Sequence, residues 1–154
     1  MPALAVDRHW NLVAANSTVG LLTAGVDPAL VRSPVNVLRL SLHPRGLAPM
    51  IANLPAWRGH VLARLQRQVA ASGDDTLQDL LAELRAYPGT GDVPAADEVI
   101  VPLVLDTPHG RLRFVTTVTV FGAPHELTLA ELAVETLLPA DADTAALLRR
   151  LAPG

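Results

Sequence analysis

The chain has 154 residues, enough for one domain with one hydrophobic core and too few for two. Half of the residues are hydrophobic and 18% are charged, which excludes a disordered polar chain, and no uninterrupted apolar run is long enough to span a membrane. Cysteine is absent, which excludes disulfides, thiolate nucleophiles and cysteine metal sites, and the net charge of −3 argues against a surface built to grip nucleic-acid phosphates.

Leu4 to Val13 predicts two short strands around the polar turn Asp7-Arg8-His9. A helix follows, with Asn16 or Ser17 as N-cap, Val19, Leu21 and Leu22 as apolar positions, and Gly25 as its stop. Several short helical turns come next, each punctuated by proline. Asp27-Pro28 opens the first, Asn36 caps one carrying Val37, Leu38, Leu40 and Leu42, and Pro44 starts another with Leu47, Met50 and Ile51. Pro55 opens the longest predicted helix, about 55–72, whose apolar face is Trp57, Val61, Leu62, Leu65 and Val69 at spacings of three and four. Ser72-Gly73 ends it. Asp74 or Asp75 caps a second long helix with Leu77, Leu80, Leu81 and Leu84 inward, stopped by Pro88-Gly89.

Residues 89–97 read as a loop, the segment of highest expected mobility. Val99 to Leu105 predicts a strand, and Pro102 inside it places that strand at a sheet edge or a bulge. Thr107-Pro108-His109-Gly110 is a hairpin turn. A long β-branched strand over 111–121 then ends at Phe121-Gly122-Ala123-Pro124. Residues 129–138 fit helix and strand periodicities almost equally, with a slight preference for helix. Asp141 or Asp143 caps a last helix carrying Leu147, Leu148 and Leu151. Two strands, a helical block and further strands predict an α+β fold. Its antiparallel sheet has about five strands, and the helical block covers one face, as a PAS-like fold requires.

Several strings resemble the ligand-binding domain of MmyB-like transcription regulators. They are Leu4-Ala5-Val6-Asp7-Arg8-His9-Trp10 through Val13-Ala14-Ala15-Asn16, then Asn36-Val37-Leu38-Arg39-Leu40, and His43-Pro44-Arg45-Gly46-Leu47-Ala48. Trp57-Arg58, Glu83-Leu84-Arg85, Phe121-Gly122-Ala123-Pro124, Leu129 to Glu135 and Leu138-Pro139-Ala140-Asp141 continue the resemblance over nearly the whole chain. The resemblance implies a PAS-like sensor attached behind an XRE-type helix-turn-helix domain. It also implies a strand at 130–138. The absence of cysteine fits a reducing cytoplasm. All twelve basic residues are arginine, which matches the coding bias of a GC-rich bacterial genome. No helix-turn-helix segment is present in these 154 residues, so DNA would be reached only through such an additional domain. The chain begins about where the sensor would begin, as a piece of a longer regulator or as a stand-alone sensor.

No catalytic set, metal cluster or cofactor motif stands out. His9, His43, His60, His109 and His125 are scattered, and no His-Glu-x-x-His occurs. Ser17, Ser33, Ser41 and Ser72 have capping or helix-surface explanations, and Gly89-Thr90-Gly91 is too short for a phosphate loop. Glu131 and Glu135 share a face and read as solvated. Arg58, Arg64 and Arg67 flank the apolar face of the long helix, and Arg111 with Arg113 share a strand face; a solvated surface or a partner contact accounts for both sets.

PAS-like folds place small molecules between sheet and helices, in pockets that are apolar with a few polar anchors. The expected lining is Leu38, Leu42, Met50, Trp57, Val61, Phe114, Thr116 and Val118, with Arg39, His43 and Asn53 as polar anchors. The same residues would also make an ordinary filled core. With few aromatic residues, an open cavity would suit an apolar ligand such as an acyl chain or a terpenoid-like metabolite. Two further expectations compete with a sensor. One is a homodimerisation or interaction module using Val115 and Phe121 on the outer sheet face, and the other is a small enzyme reusing the pocket.

Overall fold

The computed structural model describes residues 1–89, 100–120 and 132–152. Its sheet has five antiparallel strands in the order β2-β1-β5-β4-β3, with helices packed against it in an α+β, PAS-like arrangement. The strands are β1 (Ala3–Val6), β2 (Leu12–Ala15), β3 (Leu103–Thr107), β4 (Gly110–Val120) and β5 (Ala133–Pro139). Five α-helices lie among the described residues: α1 (Ser17–Leu22), α2 (Val37–Leu42), α3 (Leu54–Ser72), α4 (Asp75–Ala86) and α5 (Ala142–Leu151). Short 3-10 turns at Pro28–Val31 and Ala48–Met50 connect the first three.

Local chemistry explains these boundaries. The Asn36 side chain accepts from the backbone N–H groups of Leu38 and Arg39 at 3.1 Å each and so starts α2. The Asp74 carboxylate does the same for Thr76 and Leu77 at the head of α4, and Asp141 accepts from Thr144 N at 2.7 Å to start α5. Gly73 closes α3 with φ at 64°, a left-handed position that glycine adopts without a Cβ penalty.

The structure differs from the sequence-based expectations in several places. Helix α1 stops at Leu22 with Thr23 as its cap, two residues before Gly25. Strand β3 begins at Leu103, after Pro102 rather than around it, although it does occupy a sheet edge. Residues 133–139 form a strand, as the family resemblance implies and against the slight helical preference of the pattern. The expected loop at 89–97 lies almost wholly outside the described residues, and so does the break at Phe121-Gly122-Ala123-Pro124.

The core lies between the inward sheet face and helices α3, α4 and α5. Leu65, Leu77, Leu84, Leu105, Leu112 and Phe114 are among its fully buried side chains. The segment before α3 also covers the outer edge of β3. Ala52 N donates to Val104 O at 2.8 Å, while the Asn53 side chain accepts from Val104 N and donates to Pro102 O.

Candidate functional site

Helices α1 and α2 do not close fully onto the sheet. Between them lies a cavity of about 380 Å³, within the range of small-molecule sites. Leu4, Leu12, Ala15, Leu103, Leu105 and Leu137 form its floor on the sheet. Val19 and Leu22 of α1, Val37, Leu38 and Leu40 of α2, and Trp57 of α3 form its walls. The exposed lining residues Asn16, Ser17, Gly20 and Val31 mark its mouth.

A bulge sets the floor. In the β1–β2 pairing Ala5 faces Ala14 while Val6 faces Leu12, so Val13 is the extra residue. Strict alternation from Ala15 would turn Val13 inward. The bulge instead leaves Val13 exposed and brings Leu12 into the cavity wall. On the helical side, the Trp57 indole N–H donates to Ser41 Oγ at 2.9 Å, which fixes the ring against α2.

Of the eleven residues expected at the ligand, Leu38, Trp57 and Thr116 line this cavity. Leu42, Val61 and Phe114 are buried in the filled core beside it, and Met50 packs half-buried on the core margin. Val118 is exposed. The three polar anchors point elsewhere. Arg39 makes a two-pronged ion pair with Glu83 at 2.6 and 2.9 Å, and Tyr87 donates its hydroxyl to the same carboxylate. His43 Nδ1 accepts from Arg45 N at 3.0 Å, and its ring meets that of Tyr87 edge-on at 5.0 Å. Asn53 serves the edge of β3.

Three charged residues, for which the sequence suggested a solvated face or, for the arginines, a partner contact, prove to be largely withdrawn from water. Glu135, in the middle of β5, turns inward with its side chain only 13% exposed and lines the cavity. Arg64 Nη1 lies 3.8 Å from its carboxylate, and the Arg64 guanidinium stacks 4.5 Å above the Trp10 ring. Trp10 is held there by its own N–H bond to Gln68 at 2.8 Å. Burial pushes the Glu135 carboxyl above the usual range, with Arg64 pulling the other way; burial likewise lowers the Arg64 guanidinium. Arg58 is buried and donates to Tyr87 O at 2.7 Å and Arg85 O at 3.1 Å, satisfying carbonyls at the end of α4. Glu131 lies outside the described residues.

Sequence reasoning missed the cavity contributions of β1, β2 and α1, whose apolar residues carry no mark separating a wall from a core. Glu135 carried no separate signal, because its inward position follows only once residues 133–139 are known to form a strand.

No helix of the described residues is long and apolar enough to cross a membrane, and no group of three or more metal-ligating side chains is found among them. A comparison with curated proteins found no match. The family model for the MmyB-like transcription regulator ligand binding domain matches residues 1–151. With a PAS-like sheet, an apolar cavity under its short helices and that match along nearly its whole length, the chain belongs to the MmyB-like transcription regulator ligand binding domain family.

Proposed function

We propose that residues 1–154 act as one sensor domain that holds a small apolar molecule, an acyl chain or a terpenoid-like metabolite, in the cavity under α1 and α2. Occupancy is then read by an XRE-type helix-turn-helix domain in a bacterial cytoplasm, and DNA contact belongs to that domain alone. The observation that supports this most is the cavity itself: about 380 Å³, walled by leucine, valine and one tryptophan. Leu38, Trp57 and Thr116 touch the ligand in this reading. Leu42, Val61 and Phe114 support them from behind, and Arg39 positions α2 through Glu83. The free energy for switching comes from a difference in ligand affinity between two conformations of the regulator. Catalysis plays no part in this reading.

Native mass spectrometry of the purified domain, followed by denaturing extraction, tests it. A stoichiometric apolar compound that raises the melting temperature on re-addition is expected, because a ligand selective for the folded state must stabilise it. An empty protein that no metabolite extract stabilises sinks the sensor reading. If that protein also dimerises with concentration, the interaction-module reading takes its place, with half-buried Val115 on the sheet face opposite the helices as the first contact to mutate. Turnover of a bound compound would favour the enzyme.

A further inference from the structure

One charge interrupts the apolar wall of the cavity. Glu135 is the sole charged residue on the lining among the described residues. It sits in β5, the central strand of the sheet, between Leu4 of β1 and Val118 of β4. Strand alternation with Ala133 and Leu137 fixes it inward. Its carboxylate makes no hydrogen bond to any other described residue. The nearest cation, Arg64 at 3.8 Å, is engaged by the face of Trp10 and is not itself on the lining. Of the other polar lining groups, Asn16 bonds Met1 O and Ala3 N and Ser41 accepts from Trp57, while Ser17 and Thr116 offer only uncharged hydroxyls. A carboxylate with unused acceptor positions on an otherwise apolar wall is a ready partner for a donor that a ligand brings in place of water.

We propose that Glu135 receives the polar end of the ligand, which is therefore an amphiphile with an apolar body and a hydrogen-bond-donating head, a protonated amine first and a hydroxyl second. This rests on the sensor reading above. An amine would form a charge-assisted hydrogen bond at the one anionic point of the wall. A carboxylate head would meet a like charge at ionised Glu135, and Arg64, which is not on the lining, already faces that carboxylate at 3.8 Å.

Decylamine, decanol and decanoate share one chain length and differ only in the head. Their binding to the domain and to Glu135→Gln, by titration calorimetry at neutral pH, tests the proposal. Decylamine is expected to bind about tenfold or more tighter than decanoate, with decanol between them. In Glu135→Gln the advantage of the amine should vanish while decanol still binds. Should that variant fail to fold, the order of the three heads on the natural protein decides alone. Decanoate binding tightest, or an unchanged order in a folded Glu135→Gln, overturns the donor-head assignment and leaves the cavity reading standing. Failure of all three to bind removes both.

Discussion

Arg58, Arg64 and Arg67 lie along one helix, yet their surroundings give them three different roles. Arg67 is exposed, Arg64 bridges Trp10 and Glu135, and Arg58 ties the end of α4 to α3. The sequence shows three arginines beside an apolar face and cannot show which one is buried, because the acceptors for Arg58 lie 27 and 29 residues away in the chain. Arg58→Ala leaves those carbonyls without a donor and should lower unfolding free energy by about 1–3 kcal/mol in urea titration. A loss no larger than that of Arg67→Ala would mean that water replaces the guanidinium. Glu135 makes a pH-dependent contribution. Because burial raises its folded pKa, the folded protein holds that proton more tightly than the unfolded chain does. The contribution is then full below the ordinary glutamate value of 4.5 and is lost as pH rises through the folded value. The stability of the natural protein relative to Glu135→Gln should therefore fall as pH rises from below 4.5 toward neutrality. Paired thermal melts across that range check this, and a flat difference contradicts it.

At the scale of elements, α2 forms a cavity wall and is strapped to α4 by Arg39, Glu83 and Tyr87. The Arg39 hydrogen bond holds the Glu83 carboxyl below its usual value, so this link is present at neutral pH and weakens as pH falls through the folded pKa. Both side chains are partly solvated, and Arg39→Ala should cost only about 0.2–1 kcal/mol. Its larger expected effect is local. Amide hydrogen exchange over residues 37–42 should accelerate while that of α3 stays unchanged, and equal acceleration in both helices would show that the strap does not act on α2 alone. Element boundaries were mostly legible because the caps were explicit: Asn36 and Gly73 stand where the pattern placed them, and Asp74 and Asp141 are each one of the two candidates it offered. Strand β5 was not legible for a definite reason. Its inward positions are Ala133, Glu135 and Leu137, while its outward ones are Val134, Thr136 and Leu138. The charge on the inner face reverses the usual alternation of a half-buried strand, so the periodicity carried no decision.

For the whole molecule, the α+β class and the order of the elements other than β5 followed from the sequence, but the cavity did not. Leu38, Trp57 and Thr116 line it, whereas Leu42, Val61 and Phe114 fill the core beside it, and the two sets share the same apolar periodicity. Whether such side chains meet or leave a gap depends on how closely α1 and α2 approach strands far from them in the chain, which no local pattern encodes. The strand order carries a further consequence. β1 and β5 are neighbours at the middle of the sheet, so residues 3–6 must find residues 133–136. As the ribosome extends the chain, the β1–β2 and β3–β4 hairpins emerge well before the strand that joins them, and an isolated hairpin is barely stable in water. A chain released after Val120 should therefore show no cooperative melting transition by circular dichroism, and a sharp transition in that fragment would contradict this. Until β5 emerges, the nascent domain exposes the two strand edges that β5 later covers, and its exposure to chaperones and to premature association is set by the time needed to translate the intervening residues.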